Sequence, residues 1–523
     1  MNGSSLEADE IRREVEARIA EERAEFEDPK AGGNGGLPSE FVDQCARDGE
    51  LGDARLFISL ARDRFAFDHA AGRWFRFTGI YWEEDLLGEV YATLQEVSGT
   101  YTARAKKWAW TRMKAAKAQN RDLERHAAEM EGTLARKVSA LQRMRHLKDV
   151  LEFAAAGADS LGLKGSEFDA TPGLLACANG VLDLGTLDFR PGLPGDFIRS
   201  PCPTEWRGLQ ELAPTWERFL AEIFDGKDDL VSFMRRLFGY GLAGTCVDHI
   251  FPVLYGPGGR NGKGTMLQTI AAVLGSHLSG PVSSELLLEQ RFGTSADSAT
   301  PGILSLHGKR VVWASETNEN RFLNGGRVKW LCGGDTLTGR PLYGRHKVTF
   351  RPTHTLLLLT NHRPRVDAED SAIWERILLV PFEVRFVDNP TGPNDRARDK
   401  DLGEKLKREA SGILAWMARG LVEWRENGLD PPDVVRAATR EYREGEDVLG
   451  QFFEEKCAEN PTAWVRAGEL YDAYKTWASD TGHKVMTSTR FGKRVQERFA
   501  KEHRATGNVY IGVGLPARAE MKG

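Results

Sequence analysis

The segment that most limits what this chain can fold into runs from Ile250 to Leu274. Ile250-Phe-Pro-Val-Leu-Tyr255 is an apolar run suited to a buried strand. It enters Gly256-Pro-Gly258-Gly259-Arg-Asn261-Gly262-Lys263-Gly264-Thr265, from which Thr265-Met-Leu-Gln-Thr-Ile-Ala-Ala-Val-Leu274 reads as a helix. A strand that feeds a glycine-rich turn and then a helix is the setting of a phosphate loop. Glycines let the backbone curl its N–H groups inward, and the helix start adds partial positive charge toward a polyphosphate. Gly258, Gly259, Asn261, Gly262, Lys263, Gly264 and Thr265 are therefore the predicted ATP-binding residues, with Lys263 reaching the terminal phosphates and Thr265 offering a hydroxyl to Mg²⁺. Two positions depart from the plain G-x-x-x-x-G-K-[ST] pattern: Pro257 stands at the first glycine, with Gly256 one residue early, and Gly264 replaces the hydroxyl residue after the lysine.

Downstream, apolar strands end in polar residues that suit a site above a sheet. Val311-Val-Trp-Ala-Ser315-Glu316 ends in a carboxylate that can orient Mg²⁺ and activate water, with Ser315 where many ATPases carry an aspartate. Thr355-Leu-Leu-Leu-Leu-Thr-Asn361 ends in an amide able to hydrogen-bond a γ-phosphate. Arg376 stands just before the apolar Ile377-Leu-Leu-Val-Pro-Phe382; it suits either an intrachain salt bridge or a clamp on the γ-phosphate of a neighbouring subunit. The predicted catalytic set is Lys263, Glu316, Asn361 and Arg376, with Thr265 and Glu316 at the metal. Strand-like and helix-like segments alternate from Ile250 to Val387, which predicts a parallel α/β sheet covered by helices.

The chain has 523 residues, enough for several domains at roughly 100 to 200 residues each. Residues 1–50 are predicted to be a charged arm and Gly-rich linker. Residues 51–205 form a mixed α+β accessory domain, 206–395 the ATPase core with its preceding helices, 396–460 a helical connector, and 461–523 a small terminal domain. Six scattered cysteines show no zinc spacing, and the N-terminus has no secretory pattern, which together predict a cytoplasmic chain. The longest apolar runs are far below the roughly 20 residues needed to cross a bilayer, so no membrane partner is expected. A net charge of -5 offers no overall attraction to nucleic acid, so any such contact must be local. One local excess lies between Tyr101 and Leu151, with thirteen Lys and Arg against five Asp and Glu, including Arg104, Lys106, Lys107, Arg112, Lys114 and Lys117. A run of this kind suits either a solvated helix face or a phosphate-binding one.

Taken in order, the phosphate loop, Val-Val-Trp-Ala-Ser-Glu316, Lys329-Trp-Leu-Cys-Gly-Gly-Asp335, Arg340-Pro-Leu-Tyr343, Phe350-Arg-Pro-Thr, Asn361-His-Arg-Pro364 and Trp374-Glu-Arg376 resemble the superfamily 3 helicases. Within them the similarity is to the phage and plasmid primase-helicase branch that includes the poxvirus primase-helicase. It spans Leu51 to Leu515 and is strongest from Tyr255 to Phe382. The resemblance implies a modified AAA+ core assembled as a homo-hexamer that moves along single-stranded DNA and opens forked DNA at the cost of ATP. By that resemblance Lys263 and Thr265 correspond to Walker A, Glu316 to Walker B, Asn361 to the sensor and Arg376 to an arginine finger.

The family also carries a DNA-contacting hairpin before the sensor strand. Here Gly339 to Phe350 fits it, with Arg340, Tyr343, Arg345, His346 and Lys347 around a glycine turn. The C-terminal module resembles the family's winged-helix domain: Gly468–Trp477 and Thr487–Phe499 read as helices and Asn508–Val513 as a strand of the wing. Arg490, Lys493 and Arg494 on the second helix are placed to meet DNA, though a module of this kind serves a protein partner equally well. Only fifty residues precede Leu51, too few for a polymerising domain, so primers are expected from a separate primase or initiator partner. The function expected on this basis is that of an ATP-dependent replicative DNA helicase of a phage, plasmid or integrated element, working in the bacterial cytoplasm. An ATP-controlled initiator or DNA-binding scaffold that does not unwind is the alternative. A phosphotransferase fits less well, because Asn361, the hairpin and the terminal module are surplus to it.

Overall fold

The computed structural model describes residues 37–289, 300–315, 321–340, 347–483, 485–505 and 507–515. They divide into a first unit, formed by residues up to Arg76 and Glu84–Gly165, and a second, formed by Phe77–Glu83 and Ser166 onward.

The first unit is mainly helical. Helices Ser39–Arg47 and Gly49–Ala61 precede two short antiparallel strands, Phe65–Asp68 and Arg73–Phe77, joined at the predicted Ala71-Gly72 turn; helices Glu89–Lys117, Arg121–Ala140 and Met144–Ala155 follow. Residues 39–47 and 49–50, which the sequence assigns to a flexible arm, are instead helical. Val42, Cys45 and Ala46, at i, i+3 and i+4, are buried in the core with Phe57, Leu94, Val97 and Leu134. The glycine-rich run before Pro38 hides that short amphipathic face.

Two carboxylates inside this unit absorb part of the basic tract. Buried Asp53 accepts from the Tyr101 hydroxyl at 2.8 Å and Lys137 Nζ at 2.9 Å, with His146 Nε2 also at 2.9 Å. Asp43 accepts from Arg104 Nε at 2.8 Å and Trp108 Nε1 at 3.0 Å. A buried carboxylate is tolerated only when such partners compensate its lost hydration, so Arg104 and Lys137 serve the fold.

The second unit is built on five parallel strands: β1 (Phe251–Tyr255), β2 (Ser279–Val282), β3 (Val311–Ser315), β4 (Thr355–Thr360) and β5 (Ile377–Pro381). Their order across the sheet is β5-β1-β4-β3-β2. Side chains alternate between two cores. Leu254, Val311, Trp313, Leu357 and Val380 face one, and Phe251, Val253, Val312, Ala314, Leu356, Leu358, Ile377 and Leu379 the other. Burial on both faces explains why these strands are continuously apolar rather than alternating.

Helices Pro214–Ile223, Asp228–Ala243, Lys263–Leu274 and Ala410–Asn427 contribute to the first of these cores, where Trp216 and Trp416 meet edge to face with ring centroids 5.4 Å apart. Helices Asp228–Ala243 and Ala410–Asn427 cross with their backbones touching. A Cβ at Gly239 would lie 2.1 Å from Leu421 N, and one at Gly420 1.9 Å from Arg235 O.

Beyond Val448, three helices (Val448–Lys456, Ala467–Asp480 and Ser488–Arg498) pack on an antiparallel sheet of Ala458–Arg466, Gly507–Gly514 and Ala500–Arg504. The expected helices and strand are all present in this module. Its core takes Leu449, Phe452 and Phe453 from the first helix, so the packing unit begins before residue 461.

Because the crossing at Gly239 and Gly420 leaves no space for a methyl group, Gly239→Ala and Gly420→Ala should each cost about 1–3 kcal/mol in urea unfolding. The double variant should lose less than the sum, since the helices need to separate only once. Unchanged unfolding midpoints would contradict this account of the crossing.

Candidate functional site

The glycine-rich segment leaves the carboxyl end of β1, the strand at which the sheet order turns from β5 on one side to β4 on the other. In open α/β sheets, crevices for ligands form at such a place. Gly258, Gly259, Arg260 and Gly262 all have positive φ, from 58° to 82°, a run of left-handed positions that three glycines accommodate without steric cost. The helix begins at Lys263, two residues earlier than the sequence predicts. Around it is a cleft of about 530 Å³ lined by residues 259–265, Gln268, Ser315, Leu359, Thr360 and Asn361.

Lys263 is the centre of this cleft. It is only 7% exposed, and its ammonium donates to Gly256 O at 2.9 Å, Asn361 Oδ1 at 3.1 Å and Asn261 Oδ1 at 3.3 Å. All three acceptors are neutral, and among the described residues no carboxylate pairs with it. Burial therefore pulls its pKa down to about 8. A lysine held in this way fits an anionic group, because only incoming negative charge would compensate its desolvation.

Gly256, out of step with the sequence pattern, is required here: a Cβ would stand 2.7 Å from Lys263 Nζ and 2.8 Å from Phe382 O. Asn261 is 3% exposed, and its amide donates to Val384 O at 2.9 Å while its oxygen faces Lys263. Its side chain thus pins the loop to the chain leaving β5 and orients the lysine. A Cβ added at Gly264 would meet nothing within 4 Å, so the fold leaves space there for the hydroxyl that the usual pattern would supply. Thr265, one position later, is half-buried and lines the cleft.

Strand register brings the remaining groups together. Ser315 pairs with Leu359, and Thr360 with Tyr255, so the ends of β3, β4 and β1 sit side by side beneath the cleft. Asn361, immediately after β4, is thereby delivered to Lys263. Glu316 lies outside the described residues. Among the described residues no cluster of three or more His, Cys, Asp or Glu could hold a metal ion; the hydroxyls lining the cleft are those of Thr265, Ser315 and Thr360, and Thr360 donates its own to His362 O, which leaves Thr265 and Ser315 as the hydroxyls able to meet Mg²⁺ accompanying a nucleotide. Gln268 is a cleft residue that the motif pattern does not mark. Its signal is helical spacing, four residues after Gly264 on the face that opens the site.

Arg376 is not brought into the cleft. It precedes β5 at the end where Ile377 pairs with Phe251, a full strand, about 17 Å, from the phosphate loop. Its Nη1 donates to Ala372 O at 2.6 Å, Nε is buried without a hydrogen-bond partner, and among the described residues it makes no ion pair.

The predicted hairpin has its arms in place, with Leu337–Gly339 antiparallel to Val348–Phe350. Arg340 and Lys347 flank the tip, while Tyr343, Arg345 and His346 lie outside the described residues. On helix Ser488–Arg498, Lys493 is exposed, but Arg494 is 8% exposed and ion-paired with Asp367 and, at 3.0 Å, Glu369. Arg490 reaches the same Asp367 at 3.3 Å. Arg494, which the sequence places toward DNA, is instead withdrawn from the exposed set, because two carboxylates on the loop after Asn361 claim its guanidinium.

Comparison with known proteins agrees with the sequence resemblance. The family model described as D5 N terminal like matches residues 54–225, and the one described as Poxvirus D5 protein-like matches residues 444–511. The candidate helicase L207/L206 of Acanthamoeba polyphaga mimivirus is 28% identical over 58% of this chain and 33% of its own length. Candidate helicase 022R of Frog virus 3 is 28% identical over 60% and 39%, and candidate primase C962R of African swine fever virus (isolate Warthog/Namibia/Wart80/1980) 24% over 59% and 33%. The matches to these three relatives thus span between a third and two fifths of their length. The solved NrS-1 C terminal region aligns with 89% of this chain at 11% identity and a TM-score of 0.44, a similarity too slight to build on. On both sides of the parallel-sheet core the sequence is D5-like, and the relatives named are proteins of large DNA viruses rather than of phages or plasmids. Among the described residues, no helix is long and apolar enough to cross a membrane.

Two predictions concern the cleft. Nucleotide affinity should be level below pH 8 and fall above it, by at most about tenfold per pH unit, because Lys263 is charged below its lowered pKa and bound phosphate would raise that pKa. A fluorescent ATP analogue titrated at pH 7 and pH 9 checks this, and equal affinity at both would assign the phosphate contact elsewhere. For the shifted hydroxyl, Thr265→Ala should weaken magnesium-dependent nucleotide binding, and adding Gly264→Ser should restore part of it. If the double variant binds no better than Thr265→Ala alone, the Gly264 position cannot substitute for Thr265.

Proposed function

We propose that this chain is an ATP-dependent DNA helicase of the superfamily 3 type, acting in replication. The observation that carries this reading is the buried Lys263 ammonium, held by neutral oxygens at the switch point of a parallel sheet and bonded to Asn361 on the adjacent strand. A charged lysine and a sensing amide that share one bond can exchange partners when a γ-phosphate arrives or leaves, which links the nucleotide state to the loop after β4. That loop carries Asp367 and Glu369, the partners of Arg494, so a path of direct contacts leads from the cleft to the C-terminal module.

ATP would bind with its terminal phosphates at Lys263 and the backbone N–H groups of the loop. Magnesium, when bound with it, would neutralise charge developing on the phosphates, with Thr265 the nearest candidate hydroxyl and Glu316 the candidate base for water. Arg376 lies a strand length from its own cleft, which favours a role across a subunit boundary. A ring of six copies, implied by the resemblance, would bring each Arg376 toward a neighbour's site. The Arg340 to Lys347 hairpin would then contact the single strand without reading sequence. The relatives' names, helicase and primase, support replication as the setting.

Hydrolysis of ATP with and without single-stranded DNA, together with unwinding of a forked duplex, tests the proposal. Wild type should be stimulated by DNA and should open the fork, and Lys263→Ala should lose both activities by a hundredfold or more, on the order of the loss of a transition-state charge partner. ATP hydrolysis that is indifferent to DNA, with no unwinding, would favour the initiator or scaffold reading. Mixing Arg376→Ala with Lys263→Ala subunits should recover some hydrolysis, since one intact loop and one intact arginine can meet between them. Failure to recover it in assemblies shown to exchange subunits would remove Arg376 from the mechanism.

A further inference from the structure

Helix Ser488–Arg498 carries Arg490, Arg494 and Arg498 one turn apart along one face, and each is paired with a carboxylate from outside the helix. Arg498 meets Asp447, the cap of helix Val448–Lys456 in the same module. Arg490 and Arg494 are held differently, by the loop that follows Asn361 in the parallel-sheet core. Asp367 accepts from Arg490 Nη2 at 3.3 Å and also from Arg494, whose Nε faces Glu369 at 3.0 Å. The cations of this loop pair elsewhere: Arg363 with Glu441 at 2.9 Å and Arg365 with Glu446 at 3.5 Å, both on helix Asp433–Glu446. Asp367 and Glu369 are thereby left to the module's arginines. The seam they form is crowded with negative charge. Glu497, one turn on from Arg494, hydrogen-bonds Glu369, and desolvation together with this second carboxylate pushes the Glu369 carboxyl up to about 7 against the pull of Arg494.

We propose that Asp367 and Glu369 occupy, from within the same chain, a phosphate-binding face of this helix, and that the backbone of duplex DNA displaces them from Arg490 and Arg494. The proposal rests on the reading of this chain as one that acts on DNA. A planar guanidinium receives a carboxylate and a phosphate through the same fork of N–H groups, so two carboxylates side by side present it with what a phosphate would. Two acids crowded on one guanidinium, with Asp367 and Arg490 still about half exposed, gain little beyond their desolvation. Such a seam suits a contact made to be exchanged. Exposed Lys493 stands beside the two arginines and extends the positive face. Displacement is favoured because phosphates release condensed counter-ions when arginines reach them, while Glu369 regains its hydration. A duplex is the occupant that fits, since arginines fixed on a rigid helix meet phosphates fixed at regular spacing. The one aromatic residue of the helix, Phe491, is buried, so nothing on it would stack an unpaired base. Because the displaced loop is the one that starts at Asn361, a duplex seated on the module would be felt at the nucleotide cleft.

Anisotropy of a short labelled duplex mixed with the full chain, without nucleotide, between about 50 and 200 mM salt, tests the proposal. Asp367→Asn with Glu369→Gln should bind the duplex about three- to tenfold more tightly than wild type, the range that two partly exposed ion pairs would hold back. The dependence of log affinity on log salt should steepen by up to about 0.9 per arginine, because the arginines no longer leave behind carboxylates that collect cations. Arg490→Gln, at a largely exposed position, should weaken binding, and in its presence the gain from the two carboxamides should shrink. Unchanged affinity and slope in Asp367→Asn with Glu369→Gln would overturn the proposal. So would a gain of the same size beside Arg490→Gln, which would mark only a general loss of negative charge. Absence of duplex binding in every variant would also overturn it and give the helix to a protein partner. Independently of any variant, saturating duplex should speed amide hydrogen exchange in residues 366–371, and exchange left unchanged would contradict displacement. Because binding is read without ATP, hydrolysis indifferent to DNA would end the helicase proposal and leave this measurement standing.

Discussion

A positive charge that the fold has removed from water, with no counter-ion among the described residues, governs this structure. Lys263 is enclosed by three neutral oxygens, and much of the local architecture exists to supply them. Gly256 must lack a side chain so that its carbonyl can approach, Asn261 is fixed by Val384 so that its amide oxygen points inward, and β4 must pair with β1 in the register that delivers Asn361. Desolvation lowers the lysine's pKa and leaves it poised for anionic charge. A loop that only terminated a strand would need none of these provisions.

The parts of this arrangement that are local in the chain are legible in the sequence. The strand, the glycine run and the helix declare themselves through hydrophobicity and backbone freedom over some twenty-five residues, and the continuous apolar strands reflect burial on both faces of the sheet. What depends on register between distant strands is legible only through the family resemblance. Nothing in the residues around Asn361 says that it will touch Lys263. The inward turn of Asn261 and the need for Gly256 are not legible at all, because both follow from where the chain goes after β5. The burial of Val42, Cys45 and Ala46 is obscured by the neighbouring glycine-rich run, in which composition says more about the linker than about the short helix after it.

Charge is the other property that sequence reads poorly. Arg104, Lys137 and Arg494 belong to tracts that look available for phosphates, yet each is drawn inward by a carboxylate far away in the chain. The negative total therefore understates local positive surface, and the basic tracts overstate it. The cations that the described residues place at the surface include Lys493 on the terminal module, Lys347 beside the hairpin tip, and Lys106, Lys107 and Lys117. A helicase that holds DNA at a few places, with assembly supplying the rest of the grip, is compatible with such a distribution.

The claim on which the rest depends is that Lys263 and Asn361 hold each other until a polyphosphate takes the lysine. A high-resolution structure of the full chain with a non-hydrolysable ATP analogue and magnesium measures this directly. The account predicts that Lys263 Nζ leaves the Gly256 carbonyl and Asn361 for the terminal phosphates, with Asn361 turned toward the γ-phosphate. An analogue seated elsewhere, or a Lys263–Asn361 bond unchanged beside a bound analogue, would contradict it.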